Sequence, residues 1–412
     1  MNGTHRCSSE AEQLYMDMVS TMPVCDVSCA LDLRDLARTS PCSNLGEWWL
    51  REDSARRQLM RACGETIEGN ASDYELFRSW CAVLPRLIGH PLYHESHWEL
   101  KTFFDCDLTV NEENCDRIWQ ITAERFLQEA YTPASVLASH GVKRLCLPVT
   151  PGDVLLSVGD AMDVRPVFTL GQDRRDWLGC LSASSGVVCS DWESTCEAYR
   201  LELDRLGAMG GRLARHTVCL DAFARPHVYG ADQALKKMAA GVALDADAKR
   251  ALDMQLLRFL MQEYARRGWT VELCVTDDTA MDEWLDFAKR DRGWIIPEMI
   301  LSAASMRDAE RMAARCHALR EVATVTDGGV VSRDMWSVTS LKDMLRSYAA
   351  RTALDAYPGL RTHLGGCGGL WQHVQFRRAV CELMAEWRRE GVSGQEQALL
   401  ARICFENACR LT

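Results

Sequence analysis

The sequence has no apolar run approaching the ~20 residues that a membrane span needs, and none of its segments is expected to cross a bilayer. No apolar signal-peptide core follows Met1; a cytoplasmic location is therefore expected. Positive charge is in deficit, with 47 Lys and Arg against 58 Asp and Glu and a net charge of −11. Such a chain is not expected to bind nucleic acid or anionic lipid non-specifically. The nineteen cysteines include no C-x-x-C pair, and they are scattered and odd in number. That pattern reads as reduced, mostly buried thiols, not as a disulfide framework. There is no internal repeat, no low-complexity segment, no P-loop and no dinucleotide fingerprint.

What is present is enough apolar material for a large core: 47% hydrophobic residues over 412 positions, suited to one large α/β barrel with an insertion or to two domains. Residues 24–31 read as a buried first strand. From about residue 38 to 138 the pattern is helical throughout. Ser72-Asp73-Tyr74-Glu75 is a capping box, and Pro91 sits where a helix start tolerates proline. Tyr93, His97, Leu100 and Phe104 then recur on one helical face. From Val142 onward, short apolar runs at 144–148, 164–170, 217–221, 270–275, 298–301, 321–326 and 330–331 alternate with helices. That alternation predicts a parallel sheet with crossover helices.

Residues 86–104, RLIGHPLYHESHWELKTFF, resemble the uronate isomerases of the amidohydrolase superfamily. So do Asn44-Leu45-Gly46-Glu47-Trp48-Trp49-Leu50, Met60-Arg61-Ala62-Cys63-Gly64, Arg267-Gly268-Trp269, Phe376-Arg377-Arg378 and Ile403-Cys404-Phe405-Glu406-Asn407-Ala408. These pieces occur in the family's order over nearly the whole chain. The resemblance implies a (β/α)8 barrel formed by residues 1–37 and 139–412, with an all-helical insertion domain at 38–138. It also implies aldose–ketose isomerisation of hexuronates such as D-glucuronate or D-galacturonate. That chemistry needs a base that moves a proton between C1 and C2, groups that hold the enediolate, and a cation for the sugar carboxylate.

The family's site residues are replaced. Its metal-binding His-x-His falls on Ser28-Cys29-Ala30, its His-Tyr pair on Ser54-Ala55, and its final Thr-Asp-Ser-Arg on Thr362-His363-Leu364-Gly365. A Leu-His strand end becomes Leu273-Cys274, and a Ser-Asp-His becomes Asp221-Ala222-Phe223. One thiol in place of two imidazoles is not a metal site, so no metal ligands and no cofactor are assigned.

The candidate catalytic groups are His363, which precedes a glycine-rich loop after the last strand, and Asp277 and Asp278, which follow the strand at 270–275. The aspartates are equally placed to cap the next helix. Arg61 and Cys274 are the candidate substrate-binding residues. His90, His94 and His97 read as packing residues with hydrogen bonds, and His216 is placed at the opposite end of the barrel. The expected partners are a small sugar acid and further copies of the chain. Three functions compete: an isomerase with a rebuilt, weaker or altered site, a non-catalytic ligand- or partner-binding paralogue, and a barrel hydrolase with a new metal constellation.

Overall fold

The computed structural model describes every residue except 1–8, 32–35, 37–39, 52, 66–69, 129–130, 154–161, 171–175, 220–223, 278–280, 292, 321–322, 331–336, 363–365 and 392–393. Seven strands form one sheet in sequential order: β1 (Val24–Asp26), β2 (Val142–Val149), β3 (Asp163–Phe168), β4 (Leu213–Cys219), β5 (Thr270–Asp277), β6 (Met299–Ala303) and β7 (Val325–Val330). All neighbours are parallel. Strands added in order, each to the last, curl the sheet into an open barrel whose strand-end loops share one face.

Side chains alternate across each strand. On the outer face Val149, Phe168, Ala214, Val271, Leu273 and Leu301 join one apolar cluster with the surrounding helices. Those helices include α5 (Ala246–Arg267), α6 (Met306–Leu319), α7 (Val338–Ala349) and α8 (Gly366–Arg389). Before them in the chain, between β1 and β2, come α1 (Ser54–Ala62), α2 (Asp73–Val83), α3 (Pro91–Phe104) and α4 (Cys115–Gln128). The capping box at Ser72 and Glu75 is made, and Pro91 opens α3 with His90 Nδ1 accepting from the Leu92 amide at 3.2 Å. The apolar cluster of these helices, with Trp49, Phe77, Trp80 and Leu100, also takes in Val24, Val142, Leu145 and Leu147 of the sheet.

Two expectations need correction. The runs at 321–326 and 330–331 are not separate strands: β7 is a single strand carrying Gly328-Gly329, with a register shift against β6. Gly329 has φ 67°, and a Cβ on Gly328 would lie 2.2 Å from Ser302 Oγ. The glycines are therefore a bulge within the strand and do not break it.

The eighth strand of a closed barrel is also absent among the described residues. Residues 357–362 stand in its place without a ladder. Thr362 Oγ1 donates to Asp26 Oδ2 of β1 at 2.8 Å, and the Arg361 guanidinium donates to the Gly328 carbonyl of β7. Asn407, at the start of helix α9 (Asn407–Leu411), donates to the carbonyls of Asp355 and Tyr357 at 2.7 and 2.9 Å. Side chains thus satisfy backbone groups of this segment that a ladder would otherwise bind.

Candidate functional site in the barrel lumen

The inner face of the sheet is charged at mid-depth. Arg215 on β4 and Glu272 on β5 lie opposite each other in register, and Arg215 Nε donates to Glu272 Oε2 at 2.7 Å. Arg215 also crosses the lumen to the Val27 carbonyl at 2.9 Å. Glu272 Oε1 accepts from Ser302 Oγ of β6 at 2.9 Å and lies 3.1 Å from Arg361 Nη1. The Arg361 and Glu272 side chains are only 2% and 1% exposed. Burial works against the charge on Arg361, and Glu272 outweighs it, so its pKa is raised. Among the described residues, two guanidinium groups therefore share one carboxylate.

Cys274 lies two residues along from Glu272 and so on the same inner face. It is partly exposed, and its pKa is pushed up to about 11, first by burial and then by Glu272. At neutral pH it is a thiol lining the lumen and not a nucleophile. In the β1 part of the wall, Asp26 accepts from the Ser28 amide at 3.0 Å and from Thr362, and lies 3.6 Å from His373 Nε2 on α8. Burial raises the Asp26 pKa, but His373 and these hydrogen bonds outweigh it and hold it below the usual carboxylate range.

A second ionic cluster sits in the helices between β1 and β2. Arg56 on α1 pairs with Asp53 at 2.6 Å, Glu95 at 2.8 Å and Glu99 at 3.5 Å. The other oxygen of Glu99 accepts from the indoles of Trp48 and Trp49 at 3.0 and 2.9 Å. Glu95 Oε2 is buried with no hydrogen-bond partner. Burial first, and then the neighbouring Glu99, push the Glu95 pKa up to about 7 against the pull of Arg56. A Cβ on Gly368, in the first turn of α8, would lie 3.5 Å from Glu95 Oε1. Because α8 follows directly on residues 357–362, Glu95 stands on the strand-end side of the barrel.

His363 and Asp278 lie outside the described residues, as does the side chain of Asp277, which ends β5. Arg61 is exposed at the end of α1, and no hydrogen bond or ion pair is seen between it and the lumen groups. His97 Nδ1 is 2.7 Å from the Tyr93 carbonyl and its Nε2 accepts from the Val110 amide at 3.0 Å, which fits a packed, neutral imidazole. His216 is not at the far end of the barrel: it lies within β4 and points outward, 3.0 Å from the Tyr264 hydroxyl. The strand begins at Leu213, four residues before the expected start, which moves His216 inside it.

Arg215, Glu272, Ser302, Arg361 and Glu95 went unassigned from sequence. A signal did exist for two of them. Glu272 interrupts the run Val271–Val275 at a position opposite in phase to its apolar neighbours, and Arg215 does the same in β4. A charge in that phase of a barrel strand belongs to the lumen.

A family model described as glucuronate isomerase matches residues 5–282. The chain belongs to the glucuronate isomerase family. A uronate isomerase of Bacillus licheniformis is 24% identical over 443 residues, covering 96% of this chain and 93% of that protein. One from Salmonella newport is 26% identical over 452 residues, covering 97% and 96%. The crystal structure of a uronate isomerase from Thermotoga maritima superimposes with a TM-score of 0.87 at 17% identity, covering 100% of this chain and 99% of that one. That of a glucuronate isomerase from Caulobacter crescentus gives 0.81 at 13% identity, covering 100% and 96%.

The family resemblance implies a divalent metal, and the described residues do not fit one. Ser28 is buried, with its amide bound to Asp26; Cys29 is buried, with its amide donating to the Cys146 carbonyl at 3.2 Å; Ala30 offers no donor atom in its side chain. No group of three or more His, Cys, Asp or Glu among the described residues is arranged to hold a metal ion. Among the described residues the lumen offers guanidinium, carboxylate, hydroxyl and thiol groups, with the His373 imidazole beside Asp26.

Proposed function

We propose that this member of the glucuronate isomerase family binds a sugar acid in the barrel lumen and isomerises it weakly or in an altered way. The observation that carries this reading is the sharing of Glu272 by Arg215 and Arg361. An arginine stays protonated in a protein, so an excess of guanidinium charge cannot be relieved by losing a proton. A hexuronate carboxylate satisfies it by charge-assisted hydrogen bonding. Cys274 and Ser302 supply neutral polar groups for the sugar hydroxyls, and the Asp26–Thr362–His373 group supplies an ionic one.

Isomerisation also needs a group that gives and takes a proton near neutral pH. Glu95, with its pKa near 7 and one oxygen unpartnered, is the described carboxyl that meets this requirement. The test is an isomerisation assay on D-glucuronate and D-galacturonate with the purified full chain, with and without added zinc or manganese. We expect slow turnover that metal does not raise and that falls off on the acid side near pH 7, and no turnover in Glu95→Gln. Turnover that appears only with added metal would overturn this assignment.

A further inference from the structure

The floor of the barrel, at the strand starts, carries a different set of groups. Arg144 and Arg165 both bind Asp163, at 2.8 and 2.9 Å. Arg144 also donates to the Cys409 carbonyl at 3.0 Å and to Thr412 Oγ1 at 3.2 Å, and Arg165 donates to the Thr412 main-chain oxygen. These bonds hold helix α9 under β1. There Cys25 of β1 and Cys409 of α9 share one apolar cluster with Val27, Phe405 and Ala408. The two thiols share this small cluster and perturb each other's protonation.

The pair is asymmetric. Cys25 is 1% exposed, whereas Cys409 is partly open to solvent. The neighbouring Cys25, then the guanidinium groups of Arg144 and Arg165, pull the Cys409 pKa down to about 7 against the effect of burial. The neighbouring Cys409 and burial push Cys25 up. An accessible thiolate beside a protonated partner thiol is the arrangement of an attacking and a resolving cysteine. Cys81 and Cys115 also share an apolar cluster, but both are buried and both are pushed up, which makes them an internal contrast.

We propose that Cys25 and Cys409 are a peroxide-responsive thiol pair that closes to a disulfide and ties β1 to α9. The Cys409 thiolate attacks one oxygen of hydrogen peroxide. The O–O bond breaks, the departing hydroxide takes up a proton and leaves as water, and Cys409 becomes a sulfenic acid. The Cys25 sulfur then attacks the Cys409 sulfur. The S–O bond breaks, the hydroxide leaves with the Cys25 proton as a second water, and the S–S bond forms. Both sulfurs are oxidised, and one peroxide is reduced to two waters.

The test treats the full chain with hydrogen peroxide, blocks remaining thiols with N-ethylmaleimide, and maps peptides without reduction. Fragment ions are needed because Cys29 and Cys404 lie near the pair in sequence. The expected result is a Cys25–Cys409 linked peptide, formed several-fold faster at pH 8 than at pH 6 and reversed by dithiothreitol. It is absent in Cys409→Ser, a variant that keeps its fold because the position is partly exposed and serine is nearly isosteric. Cys81 and Cys115 stay unlinked. Linkage spread over many cysteine pairs, or a Cys409 that is alkylated in full after peroxide treatment, would overturn the proposal.

Discussion

Two buried ionic clusters of this protein differ in the sign of their excess charge. In the lumen, two arginines face one glutamate. Among the helices between β1 and β2, one arginine faces Asp53, Glu95 and Glu99. An excess of carboxylates can be relieved by taking up a proton, and the raised pKa of Glu95 is that relief. An excess of guanidinium has no such route. On the proposed reading the lumen cluster takes an anion from outside, whereas the helical cluster regulates its own charge. The first arrangement suits a binding site and the second a proton store.

The largest effect expected from breaking this contrast is at Glu272. Glu272→Gln leaves the buried Arg361 and the partly buried Arg215 without this carboxylate and should destabilise the fold by roughly 3–5 kcal/mol, read by urea unfolding. Next comes Gly328→Ala, which pushes a methyl to 2.2 Å from Ser302 Oγ and 2.9 Å from the Leu301 carbonyl, at the residue whose own carbonyl anchors Arg361. Overpacking of this kind costs roughly 1–3 kcal/mol, visible in the same unfolding curves.

Glu95 gives a smaller, pH-dependent effect. Its folded pKa is raised to about 7, above its ordinary value of 4.5, so the folded state holds the extra proton between those values. Its contribution to stability is therefore full below pH 4.5 and is lost as pH rises to 7. Glu95→Gln should flatten that slope and raise stability at pH 8 relative to the native chain by about 1–2 kcal/mol. Unfolding midpoints at pH 5, 6, 7 and 8 for the two proteins check it.

Much of the frame was legible in the sequence. Met281–Arg290 and Met306–Leu319 form helices between strands, as the alternation expects, and Pro91 opens a helix where its position predicts one. Apolar period and capping chemistry are local properties, and they fix such elements. The eighth barrel position was not legible, because its partners are distant side chains: Asn407, Arg361 and Asp26. Nor was the start of β4, where Arg215 and His216 interrupt the apolar pattern although each has a buried partner on its own face, Glu272 inside and Tyr264 outside.

Little of the candidate site was legible in the sequence. Ser28, Cys29 and Ala30 stand where the family resemblance expects metal ligands, and the described geometry around them offers no replacement set. The groups that fill the lumen come from β4, β5, β6 and residues 357–362, so sequence spacing could not bring them together. Arg61, favoured from its motif, lies exposed on α1, and the buried guanidinium groups of the lumen are Arg215 and Arg361.

The most direct measurement is a calorimetric titration of the intact protein with D-glucuronate and, separately, with D-glucose, repeated in high salt and with Cys274→Phe, which fills the lumen without changing its charge. The account predicts that the acid binds and the neutral sugar does not. It also predicts that salt weakens the binding and that the Cys274 variant abolishes it while keeping the native unfolding midpoint to within a few degrees. Equal binding of the two sugars, or acid binding that survives in Cys274→Phe, would contradict the assignment of the lumen as the anion site.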